Sequence, residues 1–110
     1  MHSFHVTTSS REAMIDITPQ LQDLLREHGR DCGAMLVYTP HTTTGLTINE
    51  GADPDVCRDI LAHLCKLVPQ DSGFRHAEGN SDAHIKAAIF GSSVQIIIDE
   101  GRLVLGTRSP

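Results

Sequence analysis

A chain of 110 residues has the length of one domain, because a chain of that size buries about two thirds of its unfolded surface around a single core. Hydrophobic residues make up 39% and charged residues 21%, which excludes a disordered polyelectrolyte and a low-complexity chain. Nine Lys and Arg against fourteen Asp and Glu give a net charge of -5, and the basic residues are scattered, so no nucleic-acid footprint is expected.

The longest apolar run, 34–38, is far shorter than the roughly 20 residues that cross a bilayer, and no membrane span is expected. The first residues, Met1-His2-Ser3-Phe4-His5-Val6, alternate polar and apolar and lack the pattern of a signal peptide. Of the cysteines Cys32, Cys57 and Cys65, the last two belong to one expected helix, with backbones about 12 Å apart and out of disulfide reach. Reduced thiols and a cytoplasmic location are expected.

In chain order, residues 4–8 alternate at period two and 13–17 repeat the pattern after Ser9-Ser10-Arg11, which predicts a β-hairpin. Thr18 followed by Pro19 predicts a helix start, with Thr18 as N-cap. Leu21, Leu24, Leu25 and His28 then form one face and Gly29 ends the helix. The apolar run 34–38, closed by Pro40, reads as a strand buried on both faces, and Leu46 and Ile48 as a further short strand.

Asp53, Pro54 and Asp55 announce a second helix through its cap, its first position and its dipole. Val56, Ile60, Leu64 and Leu67, flanked by Cys57, Leu61, Cys65 and Val68, predict a broad, deeply buried face that ends at Pro69. Residues 70–79 are polar and irregular; Asn80 or Ser81 opens a third helix with Ile85, Ala88 and Ile89 inward and Gly91 at its end. Val94, Ile96 and Ile98 form a strand, Asp99-Glu100-Gly101 turns, and Leu103-Val104-Leu105 returns. This order lacks βαβ alternation and predicts a single α+β domain with a mixed or mainly antiparallel sheet packed with helices.

Two segments carry chemistry. Within His76-Ala77-Glu78-Gly79-Asn80-Ser81-Asp82-Ala83-His84, an extended first half followed by a helix start would bring His76, Glu78, Asn80 and His84 to one side. Two imidazoles, a carboxylate and an amide suit a divalent metal such as zinc or manganese. The same residues also suit a solvated helix start, and the spacing is neither His-Glu-x-x-His nor a zinc finger. The stretch His41-Thr42-Thr43-Thr44-Gly45 offers hydroxyls, backbone N–H groups and a glycine to phosphate oxygens, with an imidazole to bind metal or move a proton; an ordinary Thr-rich turn is the bland alternative.

Asn49, Glu50 and Asp53 cluster before the second helix. Glu50 suits a general base, a metal ligand or a carboxylate that orients a ligand histidine, whereas Asp53 is explained as an N-cap. Lys86 and Arg102 are the basic residues nearest these segments and suit a phosphate, or solvent. His63 falls on a polar helix face, His28 near a helix C-terminus, and His2 and His5 near solvent.

Taken together, Tyr38-x-x-His41-Thr-Thr-x-Gly45-Leu-Thr-Ile-Asn49-Glu50, Asp53-Pro54-Asp55-Val56, His76-x-Glu78-Gly79-Asn80-x-x-x-His84-x-Lys86 and Gly101-Arg102-Leu103-x-Leu105-Gly106-Thr107 resemble the YjbQ-like family, also called the secondary thiamine-phosphate synthase family. The resemblance runs from about Phe4 to Thr107. It implies a compact α+β fold assembled as a homotrimer and a polar cleft that takes a small phosphorylated metabolite. It also implies an activity in which a hydroxymethylpyrimidine diphosphate loses pyrophosphate to a thiazole phosphate nitrogen.

On the matched positions, His41, His76 and His84 would bind a divalent ion (zinc, magnesium or manganese), with Glu78 and Asn80 completing its shell. His41, Glu50 and His84 are the candidate catalytic residues, and Thr43, Thr44, Gly45, Asn49 and Lys86 the candidate contacts to the bound phosphate. Members of the family continue after Gly-Thr with Trp-Gln-Gly and a further strand pair, where this chain has Arg108-Ser109-Pro110, so a domain short of its C-terminal strands is expected. A non-catalytic trimeric module for a metal or an anionic metabolite, and a metal-dependent hydrolase, are the alternatives.

Overall fold

The computed structural model describes residues 1–8, 10–49, 53–70 and 80–105. Its elements are α1 (Thr18–His28), β1 (Gly33–Tyr38), α2 (Pro54–Leu67), α3 (Ser81–Phe90), β2 (Ser93–Asp99) and β3 (Arg102–Leu103). The strands form one antiparallel sheet in the order β1-β2-β3. Gly33 pairs with Ile98, Met35 with Ile96 and Tyr38 with Ser93 along the β1–β2 ladder. The fold is α+β with an antiparallel sheet, as the element order predicted.

Local chemistry explains most element ends. Gly29 closes α1 in the left-handed conformation, φ 59°, and its N–H donates to the Leu25 carbonyl at 3.0 Å. Asp53 caps α2 by accepting from the Asp55 N–H at 2.9 Å, with Pro54 at the first helical position. Between β2 and β3 the two turn residues Glu100 and Gly101 both have positive φ, 52° and 72°, the backbone that matches strand twist in a two-residue hairpin. The start of α1 differs from expectation. Its N-cap is Ile17, and Asp16 Oδ1, not a Thr18 hydroxyl, accepts from the Thr18 N–H at 2.9 Å.

The core lies where α1 crosses the inner face of the sheet. Leu21 and Leu25 meet Ile96, Ile98 and Leu103, with Phe4, Ile17, Met35, Val37, Val94 and Leu105 packed around them. Each fully buried aliphatic side chain contributes about 1.5–3 kcal/mol relative to exposure, so these five residues anchor the sheet to α1. The opposite sheet face is open. Leu36, Tyr38 and Ile97 are 69%, 64% and 63% exposed, which corrects the expectation that β1 is buried on both faces.

Other expectations also fall. Among the described residues, 1–8 and 10–17 form no strand, nor do 46–48; Phe4 and Ile17 reach the core through side chains without a backbone ladder. The apolar face of α2 is not deeply buried, and no residue within α2 is; its side chains lie outside the α1–sheet core. In α3 the buried residues are Asp82 and Ala87, while Ile85 and Ile89 face outward at 37% and 59% exposure. The reason is an ion cluster that fixes the rotation of α3.

Candidate functional site

The loop after β1 is held against the end of α3. The Thr39 N–H donates to the Ser92 carbonyl at 2.9 Å and the Leu46 N–H to the Gly91 carbonyl at 3.1 Å. Within the loop, the Thr44 N–H donates to the His41 carbonyl at 3.3 Å, and Thr39 Oγ1 accepts from the His41 N–H at 3.3 Å. Gly45 is needed for this approach. A Cβ there would lie 2.6 Å from Phe90 Cβ and 3.4 Å from the Ala87 carbonyl oxygen, and the first of these distances is one that real side chains do not adopt.

This seam sets the two described candidate histidines on adjoining elements. His41 is exposed on the loop, and His84 is half-buried on α3, one turn before the Ala87 carbonyl that Gly45 approaches. The Asn80 carbonyl starts α3 by accepting from the Ala83 and His84 N–H groups at 3.0 and 3.4 Å. Its side chain does not cap. Asn80 Oδ1 is buried and has no hydrogen-bond partner among the described residues, an arrangement that normally costs about 1–3 kcal/mol. Thr43, Thr44 and Asn49 are exposed. Glu50, His76 and Glu78 lie outside the described residues.

A second polar cluster grips α3 from the side about 200° round the helix from His84. Asp82 has no solvent exposure and accepts two hydrogen bonds from Arg11, at 2.9 and 2.8 Å. Lys86 Nζ lies 3.2 Å from Asp82 Oδ2 and 2.5 Å from Glu12 Oε1. Glu12 Oε2 in turn accepts from Cys65 Sγ of α2 at 2.8 Å. Glu12 thereby joins α2 to α3, and Arg11 adds a second hold on α3. Lys86, expected as a phosphate contact, is engaged here by two carboxylates.

The cluster is fully ionised at neutral pH apart from its thiol. The Arg11 hydrogen bonds hold the Asp82 carboxyl well below the usual carboxylate range against the pull of burial, with Lys86 adding to the effect. Glu12 is lowered by its hydrogen bonds from Cys65 and Lys86, and the same bond raises the Cys65 thiol. Burial works against the Lys86 charge, but Glu12 and Asp82 outweigh it and raise its pKa. Sequence reasoning missed Arg11 and Glu12. The i,i+4 spacing of Asp82 and Lys86 was the only local signal, since Arg11 is 71 positions away from its partner.

Among the described residues no three His, Cys, Asp or Glu side chains gather as a metal cluster, and no helix is long and apolar enough to cross a membrane. The three cysteines are free thiols. Asp53 acts as the helix cap expected of it, and Arg102 sits exposed in β3 opposite Asp99.

Comparison with known proteins gives a consistent result. The family model described as "UPF0047 protein YjbQ-like" matches residues 2–109. A UPF0047 protein of Methanocaldococcus jannaschii is 45% identical over 97% of this chain and 78% of its own length. The UPF0047 protein YugU of Bacillus subtilis is 44% identical over 97% of this chain and 82% of its own. Among solved structures, a YjbQ/UPF0047 family protein from Clostridium acetobutylicum superposes with a TM-score of 0.90 at 52% identity, covering 93% of this chain and 79% of that one.

Proposed function

Because this chain belongs to the UPF0047 family of YjbQ-like proteins, we propose that it is a transferase for small phosphorylated metabolites, of the secondary thiamine-phosphate synthase type. The observation that carries this reading is the seam between the 39–46 loop and α3. Gly45 lies against Phe90 and Ala87, so the loop that carries His41 and the Thr hydroxyls packs on the C-terminal end of the helix that carries His84, and at the N-terminal end of that helix Asn80 Oδ1 is buried without a described partner. Imidazole nitrogens and an amide oxygen suit zinc, magnesium or manganese, so the donors fit a divalent ion. His41, His84 and Asn80 would hold it, with His76 and Glu78. When bound, such an ion would supply positive charge to phosphate oxygens.

The protein groups have separate work. Thr43 and Thr44 hydroxyls, with the Gly45 backbone, hold the diphosphate of the pyrimidine substrate; Asn49 contributes an amide to the same anion. The methylene C–O bond then breaks, pyrophosphate leaves with the bonding pair, and the thiazole nitrogen lone pair forms the new C–N bond. No electron acceptor is needed. His41 or His84 steadies charge on the departing oxygen, and Glu50 orients a ligand imidazole.

The chain works in the cytoplasm as a homotrimer in this reading. The open sheet face of Leu36, Tyr38 and Ile97 supports an assembled state, since isolated soluble chains seldom leave such faces bare. The test of function is formation of thiamine phosphate from the two phosphorylated precursors. Wild type should show product that disappears in both His41→Ala and His84→Ala. Precursor binding without product would point to a binding module, and release of phosphate without coupling to a hydrolase; either result would reject the transferase.

A further inference from the structure

Two histidines outside this region meet at the far end of α1. The His2 and His28 rings have centroids 4.1 Å apart and are tilted by 41°. Their meeting has a structural cause. Phe4, two residues after His2, packs on the core beside Leu21 and Leu25, and His28 follows those leucines at i+7 and i+3, the positions that share a helix face. Burial of Phe4 therefore draws the start of the chain along the α1 face that ends in His28.

We propose that His2 and His28 form a two-imidazole chelate for a late first-row divalent cation such as zinc, a surface metal site independent of the His41 and His84 region. Three observations support it. The ring centroids lie 4.1 Å apart, close enough for rotation of the two exposed side chains to bring one nitrogen of each ring within the about 4.2 Å that two donors, each about 2.1 Å from one zinc ion, can span. Both histidines are exposed, so hydrated metal reaches them, and water completes the coordination. His28 ends α1, where unpaired carbonyls and the helix dipole favour a cation. The bound ion fastens residues 1–8 to α1.

The test is a zinc titration of the whole untagged protein followed by the histidine-ring signals in nuclear magnetic resonance, with wild type, His28→Ala and His84→Ala compared. In wild type the His2 and His28 rings should respond together over one zinc range. His28→Ala should weaken the His2 response at least about tenfold, because a tethered second ligand raises effective concentration, and His84→Ala should leave it unchanged. Separate responses of the two rings, or a His2 response indifferent to His28→Ala, would overturn the site. Retained signals from Leu21, Leu25 and Phe4 show that the variant is folded.

Discussion

A carboxylate with no contact to water must be matched by cations held in place, and Asp82 has that match in Arg11 and Lys86. Asp82→Ala should cost about 2–3 kcal/mol in denaturant unfolding, below the range for a fully buried pair because the Arg11 side chain is 42% exposed. The pH dependence follows from the sign of the shift. The folded-state pKa of Asp82 is lowered, so its contribution is complete above the unfolded carboxylate value of about 4 and is lost as pH falls toward the folded one. Acid unfolding should accordingly be shallower in Asp82→Asn than in wild type. Gly45→Ala is the second test at this scale. Contact with Phe90 Cβ at 2.6 Å should destabilise by about 1–3 kcal/mol and reduce the proposed transferase activity by moving the loop off α3.

Elements with local punctuation were legible in the sequence. Gly29 and the pair Asp53-Pro54 mark helix ends that the structure places as expected, because caps act through neighbouring residues. Helix rotation was not legible. Ile85, Ala88 and Ile89 present the better apolar stripe, yet Asp82 and Ala87 face inward, since the ion pair to Arg11 joins positions 71 apart. The sheet shows the same contrast. Ile96 and Ile97 are both apolar, but only Ile96 meets α1. Ile96→Ala should cost about 2–5 kcal/mol, measured by chemical unfolding. Leu36→Glu with Ile97→Glu should leave the circular dichroism of the fold unchanged and break the proposed homotrimer into smaller species by light scattering; an unchanged mass would remove this face from the proposed interface.

For the whole molecule, the fold class and the family followed from ordered motifs spread over most of the chain, and the solved relative with a TM-score of 0.90 agrees. The candidate site was legible as residue types and order, His41-Thr-Thr-x-Gly45 and Asn80-x-x-x-His84. Its geometry was not: nothing local shows that Gly45 is small because α3 lies against it, or that Lys86 is held by Glu12 and Asp82. The central claim is a metal and phosphate site on the seam of the 39–46 loop and α3. Metal content per chain, by elemental mass spectrometry on untagged wild type and His84→Ala dialysed side by side, tests it most directly. Wild type should carry about one tightly held divalent ion per chain more than His84→Ala. Equal content in the two proteins, after the same exposure to zinc, manganese and magnesium, would contradict it.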